Sequence, residues 1–132
     1  MALAANPSAF VATRNGRGFY AYSAGLAGGA ADITLIDIAN VGLDDLLATV
    51  TFTADWSAVA QSLGFSVNID GLAVAFNEVN VAAATTSPGP QTMQVIIPGQ
   101  AAFSVVSSHD GASGGALRSA TVVAFPLLIP GA

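Results

Sequence analysis

The chain holds one histidine, His109, and it stands beside Asp110. Any imidazole-dependent mechanism would rest on that pair, the carboxylate orienting the ring. The nucleophile is the missing part, because no Gly-x-Ser-x-Gly elbow occurs. His109 opens a Gly- and Ser-rich stretch ending at Gly115 and reads as a loop histidine. Carboxylate chemistry lacks its spacing as well. Asp44-Asp45 is the one adjacent acidic pair, and Asp55 is the next acid along. Adjacent strand residues point to opposite faces, and no Asp-x-Asp-x-Asp-Gly loop is present, so paired-acid hydrolysis and loop-bound calcium are not indicated. Gly16-Arg-Gly18 and Gly25-Leu-Ala-Gly-Gly29 lack the strand before, the helix after and the Gly-Lys-Ser/Thr ending of a phosphate loop. Trp56, Tyr20 and Tyr22 offer ring faces that suit sugar stacking. The expectation is a protein that is not an enzyme and holds no cofactor or metal.

Composition points the same way. The chain has 132 residues, 53% of them hydrophobic and only 8% charged, against roughly 25% charged in ordinary soluble domains. So few ionised groups suit a surface covered by other subunits, since interface cores are depleted of charge. The basic residues are Arg14, Arg17 and Arg118, and the net charge is −5, so nucleic-acid binding by phosphate neutralisation is not expected. Cysteine is absent, which removes disulfides and thiolate metal sites. No secretory signal is read before Asn6-Pro7, and the uncharged run from Val79 to Ser108 is broken by Pro88, Gly89, Pro90, Pro98 and Gly99, so it is not a membrane span.

The elements that would position any site are strands. Asp70-Gly71 is a two-residue turn needing positive φ, and a hairpin closed there sets Ile69 against Leu72, Val67 against Val74 and Phe65 against Phe76, all on one face. Further strands are read at 18–22, 32–38, 46–53, 91–97, 101–107 and 117–125, with Val50 and Phe52 facing away from Thr49, Thr51 and Thr53. Asp55–Gln61 is read as a short helix or irregular connection. Short strands without a strong helix predict an all-β antiparallel β-sandwich, a jelly roll in preference to an immunoglobulin-like topology. Residues 1–29 contain no acid and are rich in Ala and Gly; they are expected to form an extended N-terminal arm, with residues 30–132 as the β-sandwich domain.

Two resemblances follow. Pro98-Gly-Gln-Ala-Ala-Phe-Ser-Val105 resembles the strand opening of bacterial immunoglobulin-like sandwich modules. It implies a β-sandwich and no particular activity. The broader profile, with an Ala/Gly-rich arm, one compact β-domain, few charges and no catalytic residues, is similar to small bacteriophage capsid decoration (cement) proteins. That resemblance implies a structural virion protein on the outer surface of an icosahedral capsid, bound to the major capsid protein as a homo-oligomer, a homotrimer in particular. On this expectation the arm makes the contact: Arg14 and Arg17 pair with acidic capsid groups, and Phe10, Phe19 and Tyr20 act as anchors. The alternative expectation is a receptor- or carbohydrate-binding module of a head or tail fibre.

Overall fold

The computed structural model describes residues 10–14, 18–26, 32–54, 61–81, 91–109 and 117–127. The described residues form nine strands: β1 (Phe10–Arg14), β2 (Gly18–Leu26), β3 (Ile33–Ile38), β4 (Leu46–Ala54), β5 (Gln61–Ile69), β6 (Leu72–Val81), β7 (Gln91–Ile97), β8 (Phe103–His109) and β9 (Leu117–Pro126). They form two antiparallel sheets, a larger one ordered β1-β2-β9-β4-β7 and a smaller one ordered β3-β8-β5-β6.

That order follows from one turn. Asp70 (φ 51°) and Gly71 (φ 81°) both lie in the left-handed region, the geometry of a tight hairpin turn whose twist matches its strands. Successive pairs nest around it: β5 with β6, β4 with β7, β3 with β8, and β2 with β9. A long hairpin rolled across two layers is a jelly roll, and the expected preference over an immunoglobulin-like order is met.

The core lies between the layers. Phe52 of β4 stacks on Phe65 of β5 at 4.3 Å between ring centroids, and Phe19 of β2 tilts against Phe103 of β8 at 6.2 Å. Each pair joins one sheet to the other, so these rings hold the layers in contact. The inner row of β4, Leu46, Ala48, Val50 and Phe52, is buried, as the Thr/Val alternation predicts.

Two local readings are corrected. The hairpin keeps Ile69 opposite Leu72, but β6 carries an extra residue at Val74, so Val67 faces Ala75 and Phe65 faces Asn77. This bulge turns Phe76 to the outer face, where it is 61% exposed. Its ring lies over Gly64, whose missing side chain makes room for it. A similar bulge at Leu35 in β3 lets the consecutive residues Leu35 and Ile36 both be buried.

The second correction concerns the N-terminus. Phe10–Arg14, expected in the extended arm, is a strand of the larger sheet, and the strand read at 18–22 is present and runs on to Leu26 as β2. Alternation explains it: Phe19, Ala21 and Ser23 are buried, while Tyr20 and Tyr22 are exposed, and β2 pairs with β9 from Phe19 to Leu26. Residues 1–9, 15–17 and 27–29 of the expected arm, and the connection 55–60 with Trp56, lie outside the described residues.

One end of the sandwich is tied by carboxylates. Asp45 Oδ1 accepts the Gly99 N–H at 2.8 Å, and Asp70 Oδ1 accepts the Ala102 N–H at 2.9 Å. Gly99 packs so close to the Leu43 carbonyl that a Cβ there would overlap it. Phe65→Ala is expected to cost about 3–5 kcal/mol, whereas Phe76→Ala costs under about 1.5 kcal/mol. Urea unfolding of both variants checks this, and equal losses would show that both rings are structural.

Candidate functional site

Among the described residues there is no group of three or more His, Cys, Asp or Glu able to hold a metal. Asp45 of the expected acidic pair is engaged as the cap of Gly99. His109 ends β8 opposite Leu63, and its side chain lies outside the described residues. What stands out instead is a surface.

The outer face of the larger sheet is built in rows by the register of β9, β4 and β7. Phe125, Leu47 and Ile96 lie side by side across these strands and are all exposed, Phe125 and Ile96 at 57% each. Strand spacing is about 4.8 Å, so the three side chains form a continuous apolar ridge about 10 Å between its outer strands. The next row is Tyr20, Val123, Thr49 and Gln94, with Gln94 Nε2 donating to Thr49 Oγ1 at 3.4 Å. The row after it is Tyr22, Thr121, Thr51 and Thr92. Thr53 and Ser119 follow, their hydroxyls 2.6 Å apart.

No ionised residue occurs in these rows. All six described acids lie elsewhere: Asp32, Asp37 and Glu78 on or beside the smaller sheet, Asp44, Asp45 and Asp70 in the loops of the tied end. The distribution of apolar bulk is also inverted in β9. Its inner row is Arg118, Ala120, Val122 and Ala124, while Val123 and Phe125 face outward. The small inner residues leave the interlayer space to the four phenylalanines, and the larger apolar side chains are spent on the surface. A contiguous exposed apolar patch with a polar margin marks an interaction site more often than a solvated face.

Arg118 is the unexpected member of the core, fully buried and the largest side chain so placed. Its Nη1 donates to Ser107 Oγ at 3.1 Å, and Ser107 Oγ donates to the Gly64 carbonyl at 3.3 Å. Among the described residues, Arg118 Nε and Nη2 and Ser23 Oγ have no hydrogen-bond partner. Burial pushes the guanidinium below its ordinary pKa, opposed by the attraction of Asp32. Alternation along Leu117–Phe125 places Arg118 on the buried face, a signal that charge counting alone passes over.

The expected contact residues are thus divided. Tyr20 is 40% exposed in the surface just described, but Phe19 is 6% exposed and belongs to the core, so it cannot anchor a partner without opening the sandwich. Phe10 and Arg14 are register partners of Tyr22 and Gly18 in β1, with side chains outside the described residues, as is the whole of Arg17. Sequence reasoning missed Leu47, Ile96, Val123 and Phe125, whose signal was their shared outward parity across three neighbouring strands.

No protein-family model matches the chain, and no curated protein matches it by sequence. The fold itself has counterparts. A chain in the crystal structure of the T13 infectious bursal disease virus particle superposes with a TM-score of 0.55 at 14% identity, over 83% of this chain and 31% of that one. The crystal structure of the VP2 subviral particle of the same virus gives 0.50 at 13% identity, over 80% and 30%. This chain spans about a third of the length of those particle chains. At such identities the likeness is one of fold.

The buried Arg118 yields a stability test. Arg118→Met, which fills the volume without a buried charge, is expected to leave the melting temperature unchanged or raise it. Arg118→Ala opens a cavity and should lower stability by about 2 kcal/mol or more. A methionine variant as unstable as the alanine variant would mean that the guanidinium itself is needed for folding.

Proposed function

We propose that this chain is a structural virion protein that docks on an icosahedral capsid through the outer face of its larger sheet. One observation carries the reading: the exposed apolar ridge across β9, β4 and β7 lies among rows that hold no ionised residue, while the described acids lie on the smaller sheet and the tied end. The rows of β9, β4 and β7 lose little on desolvation, because they have no ion to strip of water. The acidic side then faces solvent and keeps the covered particle soluble. The particle chains that share this fold support a capsid role. In the decoration reading the partner is the major capsid protein, the location is the outer surface, and no reaction is catalysed. The contact runs through β9, β4 and β7, where the sequence alone suggested an arm.

The test is co-sedimentation with capsids lacking the protein. Leu47→Asp and Phe125→Asp should each weaken binding by a factor of about 10 or more, as expected for removal of a central anchor, with thermal melts like wild type. Asp37→Asn and Glu78→Gln should bind as wild type does. Full binding by the Leu47→Asp/Phe125→Asp double variant would overturn the reading.

Tyr20 and Tyr22, exposed beside the Thr121, Thr51 and Thr92 hydroxyl row, favour a second reading, a carbohydrate-binding face. That reading predicts glycan-array binding abolished by Tyr22→Ala, and a blank array with the wild-type protein removes it.

A further inference from the structure

Among the described residues the two sheets have four edge strands, β1 and β7 in the larger and β3 and β6 in the smaller. Natural sheets blunt their edges with bulges, charges or proline, because an open row of N–H and C=O groups invites another strand. Three of the four edges here carry such a device. β3 is bulged at Leu35 and bears Asp37; β6 is bulged at Val74 and bears Glu78; β1 bears Arg14. β7 has none of these. Its seven residues, Gln91 to Ile97, include no proline, glycine or ionised side chain, and its register with β4 is unbroken from Phe52↔Gln91 to Leu46↔Ile97. No strand lies beyond it among the described residues. The core beside it is also unfinished: Met93 and Val95 pack against the core but are only partly buried.

We infer that β7 pairs with β7 of a second copy of this chain, antiparallel about a twofold axis at Gln94. The strand is self-complementary in that register. Gln94, the middle residue of seven, meets its own counterpart; Thr92 meets Ile96, and Met93 meets Val95. Each half-covered Met93 and Val95 then closes the open margin of the other copy's core. On the outer face, Ile96 carries the apolar ridge up to the junction, and the two larger sheets become one continuous sheet. Charge selects this edge for a like partner. Two copies, each at −5, repel one another in general, but β7 itself holds no ionised residue, so the paired strands set no like charges directly opposite one another. Pairing of this kind is isologous and consumes the edge, so the assembly stops at two chains.

Sedimentation velocity on the full chain tests the pairing. Wild type is expected at twice the 13.1 kDa chain mass. The variants Thr92→Lys/Gln94→Lys and Thr92→Glu/Gln94→Glu each set like charges across the axis on exposed positions. Each should raise the dimer dissociation constant by about 10-fold or more while melting as wild type does. An equimolar mixture of the two should recover the dimer, which a nonspecific surface effect would not do. A monomeric wild type, a wild-type mass of three chains, or charge variants that dimerise separately as well as in mixture would overturn the inference.

Discussion

Positive φ at two consecutive residues, Asp70 and Gly71, is the constraint on which the rest of the sandwich depends. The turn they form brings β5 onto β6, and every later pairing is concentric with it, out to β2 on β9. Closure entropy grows only logarithmically with loop length, so each outer pair adds little cost once the inner one is in place. The turn is itself anchored. Asp70 donates its N–H to the Ala102 carbonyl at 3.0 Å and accepts the Ala102 N–H on its carboxylate. Neighbouring loops are secured in the same way, with the Gln100 N–H on the Gly42 carbonyl at 2.6 Å and the Leu127 N–H on the Asp45 carbonyl at 2.8 Å. The tied end thus fixes the direction in which both sheets leave it.

Much of this is legible in the residues. Asp-Gly between two apolar runs announces the hairpin, the Thr/Val alternation of β4 assigns its faces, and Gln91–Ile97 reads as a strand with the observed ends. Two kinds of feature are hidden. Bulges at Leu35 and Val74 insert one residue without any local mark, so strict alternation sends Phe76 to the wrong face. Membership of a sheet is also nonlocal. Phe10–Arg14 lies in an Ala- and Gly-rich stretch that suggests an arm, but β2 supplies the partner that makes it a strand. Tertiary pairing overrides local propensity there. The outer surface is hidden for the same reason, since Phe125, Leu47 and Ile96 come from three strands far apart in sequence.

The low charge content takes on a spatial meaning once the sheets are placed. The described acids occupy the smaller sheet and the tied end, so the surface is divided rather than uniformly apolar. Arg118 is removed from the surface altogether, buried between the layers beside Ser107. The uncharged outer rows of β9, β4 and β7 and the unblunted edge of β7 adjoin one another, and covering either requires no ion to be dehydrated. An isolated chain leaves these surfaces to water; the proposed docking and pairing would cover them.

The most direct test is hydroxyl-radical footprinting of the protein on intact particles and free in solution. If the larger sheet is the docking face, labelling of Tyr22, Phe125 and Ile96 falls on the particle, while labelling of Phe76 on the opposite sheet stays as it is in the free protein. Loss of labelling at Phe76 with Tyr22, Phe125 and Ile96 unchanged would contradict it.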